Sequence, residues 1–535
     1  MAKHAPDDNQ FSPPPAVRWG EVLLILTVFF ALAGEPVPHV NEPHYLGRMK
    51  HFWDPAWGAG DLFLESPDAH GLFVWAFGWA TKYLSLSATA WTGRILVWTL
   101  LAWAWQRLSW RIVAVPLASV LTAALWVSLT EMAHLAGEWV LGGVEAKCFA
   151  YVFVLVALRE FIDARWNRVL VALGMASAFH VLVGGWSLVV CGVMWLLKQQ
   201  PSRIAGSLGS ILPGIVGGGL LTLVGLIPAL ALGWGQPAEI VTEANQIYVF
   251  ERLPHHLALL TLPVDEFLNR SLRHGALIFG LWLLARFNRR RDSTSYVNAG
   301  LRVVTAYAWG AVALSAIGFV IEITLWNHPA TAASLLRFYW FRLSDVAVPL
   351  AVAFQLVTWI VAAFQSQRPW AIWGLAGAIA LSAWHIGENT AERWLDPTPP
   401  ADSAMRNYPA WVDTCDWIAE NTPPEAVFLT PRLSTSFKWR TGRAEVATRK
   451  DIPQDARSMV AWFDRLKDVY YYQVPSGVEP FNYAGELGTE RAVAMARRYG
   501  AGYIVSDRAH PLALRAVYPT REYPNDEYVI YAVGK

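Results

Sequence analysis

The side chains best suited to chemistry are concentrated in one acidic stretch near the start of the chain. Residues 35–70 hold six carboxylates and four histidines. A carboxylate can take the proton of a hydroxyl, and two acids together can orient a metal ion. Asp54 is the first candidate base, because the aromatic turn 52–55 would partly exclude water around it. Asp61 and Glu42 come next, and the ordinary alternative for each is a hydrated acid on a surface loop.

A second group of candidates lies where apolar runs begin or where the acidic stretch ends. Glu145 and Lys147 stand at the start of an apolar run, where a lone charge costs about 3 kcal/mol and therefore needs a partner or water. They either contact a substrate or form a structural ion pair that closes the ends of neighbouring helices. His70 ends the acidic stretch and is a further candidate for substrate contact.

The basic candidates come later in the chain. Arg337 and Arg342 flank an aromatic segment, and Arg252 precedes the pair His255 and His256. A guanidinium donates two parallel hydrogen bonds to a phosphate, so Arg337 and Arg342 are predicted phosphate ligands. Anchoring at a membrane interface is the alternative use of such residues. An adjacent histidine pair rarely chelates one ion by itself, so no metal site is predicted, and a divalent cation stays an open alternative.

Membrane helices must position these residues. Hydrophobic residues make up 54% of the 535 and charged residues 16%, and many of the 29 tryptophans lie near the ends of apolar runs. Counting such runs predicts about eleven crossings. The lysine and arginine distribution predicts a cytoplasmic N-terminus and an extracytoplasmic first loop, 35–90. Residues 1–18 are predicted to be a disordered cytoplasmic start, and residues 19–395 the transmembrane domain.

The composition changes at the proline-rich segment 396–400. The last 140 residues carry 17 of the 43 basic and 18 of the 42 acidic residues. Strand-like runs alternate there with helical patterns, among them 426–430, 456–466, 490–499 and 503–506. Residues 396–535 are therefore predicted to form a soluble, extracytoplasmic α/β domain. The basic run 438–457 contains interspersed acids and is interpreted as a solvated face.

Charge and cysteine content exclude other classes of protein. The net charge is +1 and no basic face stands out, which argues against a nucleic-acid partner. The three cysteines are widely spaced, so they predict neither a disulfide framework nor a metal site.

Three local patterns resemble a known superfamily. The segment 70–96 resembles the stretch that joins the first loop to the second span in the GT-C superfamily of lipid-carrier-dependent glycosyltransferases. The segment 180–184 is similar to a recurrent His-and-Gly break between two of their spans, and 416–423 to the opening of their soluble domain. The Trp-Trp-Asp-Tyr-Gly signature of oligosaccharyltransferases is absent from the sequence. The overall pattern looks closest to uncharacterised bacterial membrane proteins.

The resemblance implies a polytopic α-helical membrane protein of the bacterial inner membrane with a GT-C-like fold. It implies transfer of a sugar from a polyprenyl-phosphate donor to an extracytoplasmic acceptor, which is a lipid, a glycan or a protein. A loop acid would deprotonate the acceptor while cations stabilise the departing phosphate.

Two other functions stay open at this point. A non-catalytic receptor or scaffold would depend on the soluble domain and tolerate loss of the loop acids. A lipid-glycan transporter would use charges on broken helices, for which Glu322, Asp345 and the glycine run 217–219 are available.

Overall fold

The computed structural model describes residues 13–197, 208–289, 296–474 and 477–534. Up to residue 395, the regular elements of these residues are helical. The helices are α1 (Pro15–Ala33), α2 (Glu42–Trp53), α3 (Leu62–Glu65), α4 (Gly71–Gly78), α5 (Leu86–Ser109), α6 (Ala118–Met132), α7 (Ala146–Ile162), α8 (Trp166–Phe179), α9 (Val181–Leu196), α10 (Leu208–Ala231), α11 (Ala238–Gln246), α12 (Pro254–Leu257), α13 (Val264–Arg289), α14 (Tyr296–Thr324), α15 (Pro329–Leu336), α16 (Arg342–Gln365) and α17 (Ala371–Leu395). A π-helical stretch, Ile247–Arg252, connects α11 to α12.

Four helices within the described ranges are long and apolar enough to cross a membrane. They are Pro15–Ala33, Gly209–Ala231, Ala299–Thr324 and Arg342–Gln365. The chain therefore has the helical, membrane-protein character that its composition predicts, while the count of about eleven crossings and their orientation stay predictions. Of the predicted disordered start, residues 1–12 lie outside the described residues, whereas α1 already begins at Pro15.

The break between α8 and α9 falls at His180, where the sequence predicts it. His180 has extended backbone angles and its ring nitrogen Nδ1 accepts a hydrogen bond from the Val183 amide at 3.3 Å. This bond caps one of the free amides at the start of α9. The break leaves the His180 side chain at a helix junction instead of on a continuous helix face.

Small residues let α8 and α10 pack with their backbones in contact. A Cβ atom on Gly174 would overlap the backbone of Gly218, and one on Gly218 would overlap the carbonyl of Leu170. Glycine at both positions is therefore required by the close approach of the helices, as is common in membrane bundles. The close packing fixes the C-terminal half of α10 beside α9.

The C-terminal region forms a mixed sheet flanked by helices, which confirms the predicted sheet-containing end of the chain. Its helices are α18 (Tyr408–Asn421), α19 (Phe437–Thr441), α20 (Ala456–Tyr470) and α21 (Thr489–Arg498). Its strands are β1 (Val427–Leu429), β2 (Ala444–Glu445), β3 (Tyr471–Val474), β4 (Gly477–Pro480), β5 (Tyr503–Asp507), β6 (Ala516–Tyr518) and β7 (Tyr528–Ala532). The described strands form a sheet in the order β2-β1-β5-β7-β6, and β3 pairs with β4 in a separate ribbon.

Alternating apolar residues place a helix on each face of this sheet. Strands β2, β1 and β5 run parallel, and β7 is antiparallel to both β5 and β6. Successive strand residues point to opposite faces, so Phe428 packs with Trp411 of α18 while Leu429 packs with Trp462 of α20. The loop between β2 and α20, residues 446–455, leaves the sheet toward the helical region.

Candidate substrate cavity

A large cavity lies where the helical region meets the C-terminal domain, and we call it the central cavity. Its volume is about 850 Å³, large enough for a sugar or a lipid headgroup with part of its chain. Its walls come from the first loop, the loop before α7, helices α9 to α12, the segment before α16 and the loop 450–454. The cavity is therefore built from parts of the chain that lie more than 400 residues apart in sequence.

All eight residues predicted to bind substrate line the central cavity. They are His70, Glu145, Lys147, Arg252, His255, His256, Arg337 and Arg342. The structure thus brings together candidates from four separate segments, and their binding role stays a prediction. Lining cations outnumber lining carboxylates, with five lysines and arginines against Glu138 and Glu145. With neutral histidines, the cavity carries an excess of three positive charges.

Two of the five cations are neutralised by the two carboxylates. Arg342 Nε lies 2.6 Å from a carboxylate oxygen of Glu138, and Lys147 Nζ lies 3.5 Å from Glu145 and 3.7 Å from Glu138. Asn41 donates a further hydrogen bond to Glu145 at 2.6 Å. Burial raises the pKa of Glu138, although Arg342 and Lys147 oppose that shift. Both alternatives for Glu145 and Lys147 are therefore realised in one place: they form an ion pair and they face the cavity.

The helix α16 also fixes the loop that carries Glu138. Asp345 accepts hydrogen bonds from the amides of Leu135, Ala136 and Glu138 at 2.6, 2.9 and 3.1 Å. Glu322 similarly accepts from the Leu260 amide at 2.7 Å. Both acids that a transporter could use are thus engaged in holding loops.

Within the part of the chain that the structure describes, the other three cations have no carboxylate partner. Arg337 Nη1 donates to the neutral side-chain oxygen of Asn245 at 2.7 Å. Among the described residues, no carboxylate lies within ion-pair distance of Arg252 or Lys450, and Arg252 Nε has no hydrogen-bond partner. Burial, together with Arg252 and other nearby cations, lowers the pKa of His255 to about 4. His255 is therefore neutral at pH 7. The side of the cavity formed by Arg252, Arg337 and Lys450 is electropositive.

One wall of the cavity is apolar and is formed by residues of α9 and α10. We call the residues that form it the apolar wall: Val181, Leu182, Gly185, Trp186 and Val189 of α9, and Gly225, Leu226, Ala229 and Leu230 of α10. Val189 and Leu230 are 47% and 64% exposed, so this wall reaches the outer surface of the helices. An apolar chain bound there would leave its polar end among the cavity cations.

His70 lines the central cavity and is held by two neighbours, Asp68 and Gln454. Its ring nitrogen Nδ1 lies 3.0 Å from Asp68 Oδ1, and its backbone amide donates to the same oxygen at 3.1 Å. Burial would raise the pKa of Asp68, but His70 and Arg48 hold it well below its usual range. When the ring carries its proton on Nδ1, that nitrogen donates to Asp68 and Nε2 is left as a hydrogen-bond acceptor. Gln454 Nε2 lies 3.2 Å from the same Nδ1 atom.

The three acids predicted to be catalytic lie outside the central cavity. Asp54 ends α2, is 45% exposed, and pairs with Lys50 at 3.3 Å. Asp61 caps α3 by accepting from two backbone amides at 3.0 Å, and it lies 3.3 Å from the buried Lys438. In the structure, neither Asp54 nor Asp61 shares the central cavity with Arg337 or Arg342. The first-loop helices turn these side chains away from it.

Glu42 is fully buried and each of its oxygens is occupied. Arg94 donates to both oxygens at 2.7 Å, and the amides of His39 and Val144 donate at 2.8 and 3.1 Å. Both oxygens are therefore engaged inside the protein and do not face the central cavity. Glu42 fastens the first loop to α5 and to the loop before α7.

Sequence reasoning missed Lys450, Gln454, Glu138 and His180 as cavity residues. Lys450 belongs to the run interpreted as a solvated face, and Lys438 of the same run is only 3% exposed. Interspersed acids in such a run predict a solvated face, yet here Glu445 and Asp451 are buried partners of Lys438. The helix break at His180 was the one sequence signal that could have marked a cavity residue.

Comparisons with known proteins assign no activity. A domain family described as a domain of unknown function, DUF6798, matches residues 409–469. No curated protein matches the chain in sequence. The archaeal oligosaccharyltransferase AglB from Archaeoglobus fulgidus, solved with an inhibitory peptide and a dolichol-phosphate, aligns at 13% identity and a TM-score of 0.44 over 92% of this chain and 69% of that one. The apo form of the Archaeoglobus fulgidus enzyme aligns at 14% identity and a TM-score of 0.48 over the same shares.

Proposed function

We propose that the protein is a GT-C-like glycosyltransferase that transfers a sugar from a polyprenyl-phosphate carrier to an acceptor outside the cytoplasm. The observation that carries the proposal is the central cavity, which joins an electropositive side to the apolar wall. A polyprenyl-linked phosphate has these two properties in the same order, an anionic head followed by an apolar chain. The sequence resemblance to the GT-C superfamily points to the same class of donor.

His70 is the base that the cavity favours. In the proposed step, His70 Nε2 takes the proton of an acceptor hydroxyl while its oxygen forms a bond to the anomeric carbon of the sugar. The bond from that carbon to the carrier phosphate breaks, and its electron pair leaves on the phosphate oxygen. Cations facing the cavity stabilise the charge that develops there. Asp68 orients the ring and stabilises its protonated form, as a carboxylate does for histidine bases in general.

The experiment that tests this function is a comparison of glycolipids and glycoconjugates in cells with and without the gene. Complementation with the wild-type gene should restore the profile, and His70→Gln should not. His510→Gln is the matched control, because His510 is partly exposed in the C-terminal domain and lies outside the cavity. An identical profile in cells that make the protein and in cells that lack it would refute the proposal.

A further inference from the structure

Arg252 and Lys450 face the same cavity from opposite halves of the chain. Arg252 ends the π-helical stretch that connects α11 to α12, and Lys450 lies in the loop that follows β2 of the C-terminal domain. Both side chains are partly exposed to the cavity. The Lys450 loop is held by its neighbour Asp451, whose carboxylate lies 2.6 Å from Lys438 and 3.5 Å from His44. The lysine is therefore positioned, while its own charge is left without a partner.

The two charges repel each other in a partly desolvated place. Burial and the proximity of Arg252 are the first two causes that lower the pKa of Lys450, to about 8. Like charges gathered away from water cost free energy unless an anion binds between them. A fold that keeps such a pair facing a cavity is therefore arranged for an anionic ligand.

The charge of the cavity indicates how large that anion is. Arg342 and Lys147 are balanced by Glu138 and Glu145, which leaves three positive charges uncompensated. A sugar joined through one phosphate to a lipid carries about one negative charge, and one joined through a diphosphate about two. After the sugar leaves, each carrier gains about one further charge. The excess of three matches the diphosphate carrier and exceeds what a monophosphate carrier supplies.

We propose that Arg252 and Lys450 form a headgroup site for a diphosphate, so that the donor is a sugar linked to a polyprenyl diphosphate. This inference rests on the proposed function, because it names the carrier class for the same cavity. Arg252 of this site comes from the helical region, and Lys450 comes from the C-terminal domain. The headgroup site is consequently complete only when the C-terminal domain is docked against the first loop.

The test is a binding measurement on the full-length protein in lipid nanodiscs, with three probes. The probes are a polyprenyl diphosphate, the polyprenyl phosphate of equal chain length, and inorganic pyrophosphate. We expect the wild-type protein to bind the lipid diphosphate about tenfold more tightly than the lipid monophosphate. Arg252→Gln and Lys450→Gln should each weaken diphosphate binding about tenfold and change monophosphate binding about threefold or less.

The controls match each substitution in chemistry. Arg457→Gln and Lys467→Gln remove the same side-chain types from exposed positions of α20 and should bind as the wild-type protein does. Arg252→Lys and Lys450→Arg keep the charge and should retain the preference for diphosphate. Equal unfolding temperatures of the variants would show that a lost affinity is not a folding defect.

Each outcome bears on the headgroup site or on the proposed function. The headgroup site is refuted when the Gln variants bind the lipid diphosphate as well as the wild-type protein, or when the wild-type protein shows no preference for it. Inorganic pyrophosphate binding as tightly as the lipid diphosphate would support the site and contradict the lipid-dependent function. Failure of the wild-type protein to bind either lipid would overturn both proposals.

Discussion

Two groups of charges each join the C-terminal domain to an earlier part of the chain, and they differ in pairing. At the interface of the first loop with the C-terminal domain, Lys438 Nζ lies 2.6 Å from Glu445, 2.6 Å from Asp451 and 3.3 Å from Asp61. Arg252 and Lys450 both line the central cavity, with no carboxylate within ion-pair distance among the described residues. We call Lys438, Glu445, Asp451 and Asp61 the closed group, because their charges pair with one another. We call Arg252 and Lys450 the open group, because no carboxylate among the described residues pairs with them.

The difference shows that pairing, more than residue type, separates structural from ligand-binding charges. A buried ion cluster costs desolvation energy and regains it from its own partners, so it fixes how two parts pack. An unpaired cation facing a cavity regains that energy only when an anion arrives. Asp61 of the first loop belongs to the first kind, and Arg252 and Lys450 of the central cavity belong to the second.

The largest expected change in stability comes from removing the cation of the closed group. Lys438→Met would leave Asp61, Glu445 and Asp451 buried without it, and we expect a loss of about 3–5 kcal/mol in the free energy of unfolding at pH 7.5. Thermal or denaturant unfolding in detergent measures the loss. Lys467→Met, at an exposed pair with Asp464, is the matched control and should change stability by less than about 1 kcal/mol.

The same variant has a pH dependence with a defined sign. Burial would raise the pKa of Asp451, but Lys438 and His44 hold this pKa well below its usual range in the folded protein. The ionised Asp451 therefore stabilises the folded protein at pH values above the pKa that it has in the unfolded chain. This stabilisation is lost as the pH falls toward the lower pKa of the folded protein. Without Lys438 the carboxylates become protonated at a higher pH. The destabilisation should therefore be smaller at pH 5 than at pH 7.5. A loss that is equal at both values would contradict the closed-cluster interpretation.

A second, smaller effect is expected from Glu42. Glu42→Gln leaves Arg94 charged and buried beside a neutral amide, and we expect a loss of about 3 kcal/mol in the free energy of unfolding. Replacing both residues by leucine should recover part of that loss, because no buried charge is then left unpaired. Normal stability with complete loss of product would instead return Glu42 to the catalytic candidates.

The open group should respond to pH in its affinity. Lys450 is charged below its pKa of about 8; burial and the nearby charges of Arg252 and Lys147 lower this pKa, while Glu145 and Asp451 oppose the shift. Diphosphate affinity should therefore fall about threefold to tenfold between pH 7 and pH 9, relative to Lys450→Arg, which stays charged throughout. Titration calorimetry or a fluorescent lipid at several pH values measures the ratio. Parallel pH curves for the two proteins would exclude Lys450 as a ligand.

The smallest effect belongs to Asp54, which is in neither group. Its pair with Lys50 is largely exposed, so Asp54→Asn should change the free energy of unfolding by less than about 1 kcal/mol and leave lipid binding unchanged. Unfolding temperature and the same lipid titration are sufficient measurements. A large loss of product with normal binding would show that the cavity has a second conformation in which this acid takes part.

The helices and strands and their order along the chain could be predicted in outline from the sequence alone. Apolar runs, the His180 break and the alternating strands of the C-terminal region follow from local periodicity, and the structure contains all three. Arg337 and Arg342, which flank an aromatic segment, are recognisable without a fold as candidate phosphate ligands, and this role stays a prediction. All eight predicted binding residues line the central cavity.

Which charged side chains pair with one another depends on the tertiary structure. Asp61 and Lys438 are far apart in sequence and meet at 3.3 Å, while Lys450, in the same basic run as Lys438, faces the cavity. Pairing is a property of distance in space, and local periodicity carries no information on it. For that reason the acidic loop looked catalytic in the sequence, whereas the fold uses Glu42 and Asp61 to hold its parts together and leaves Arg252 and Lys450 free for a ligand.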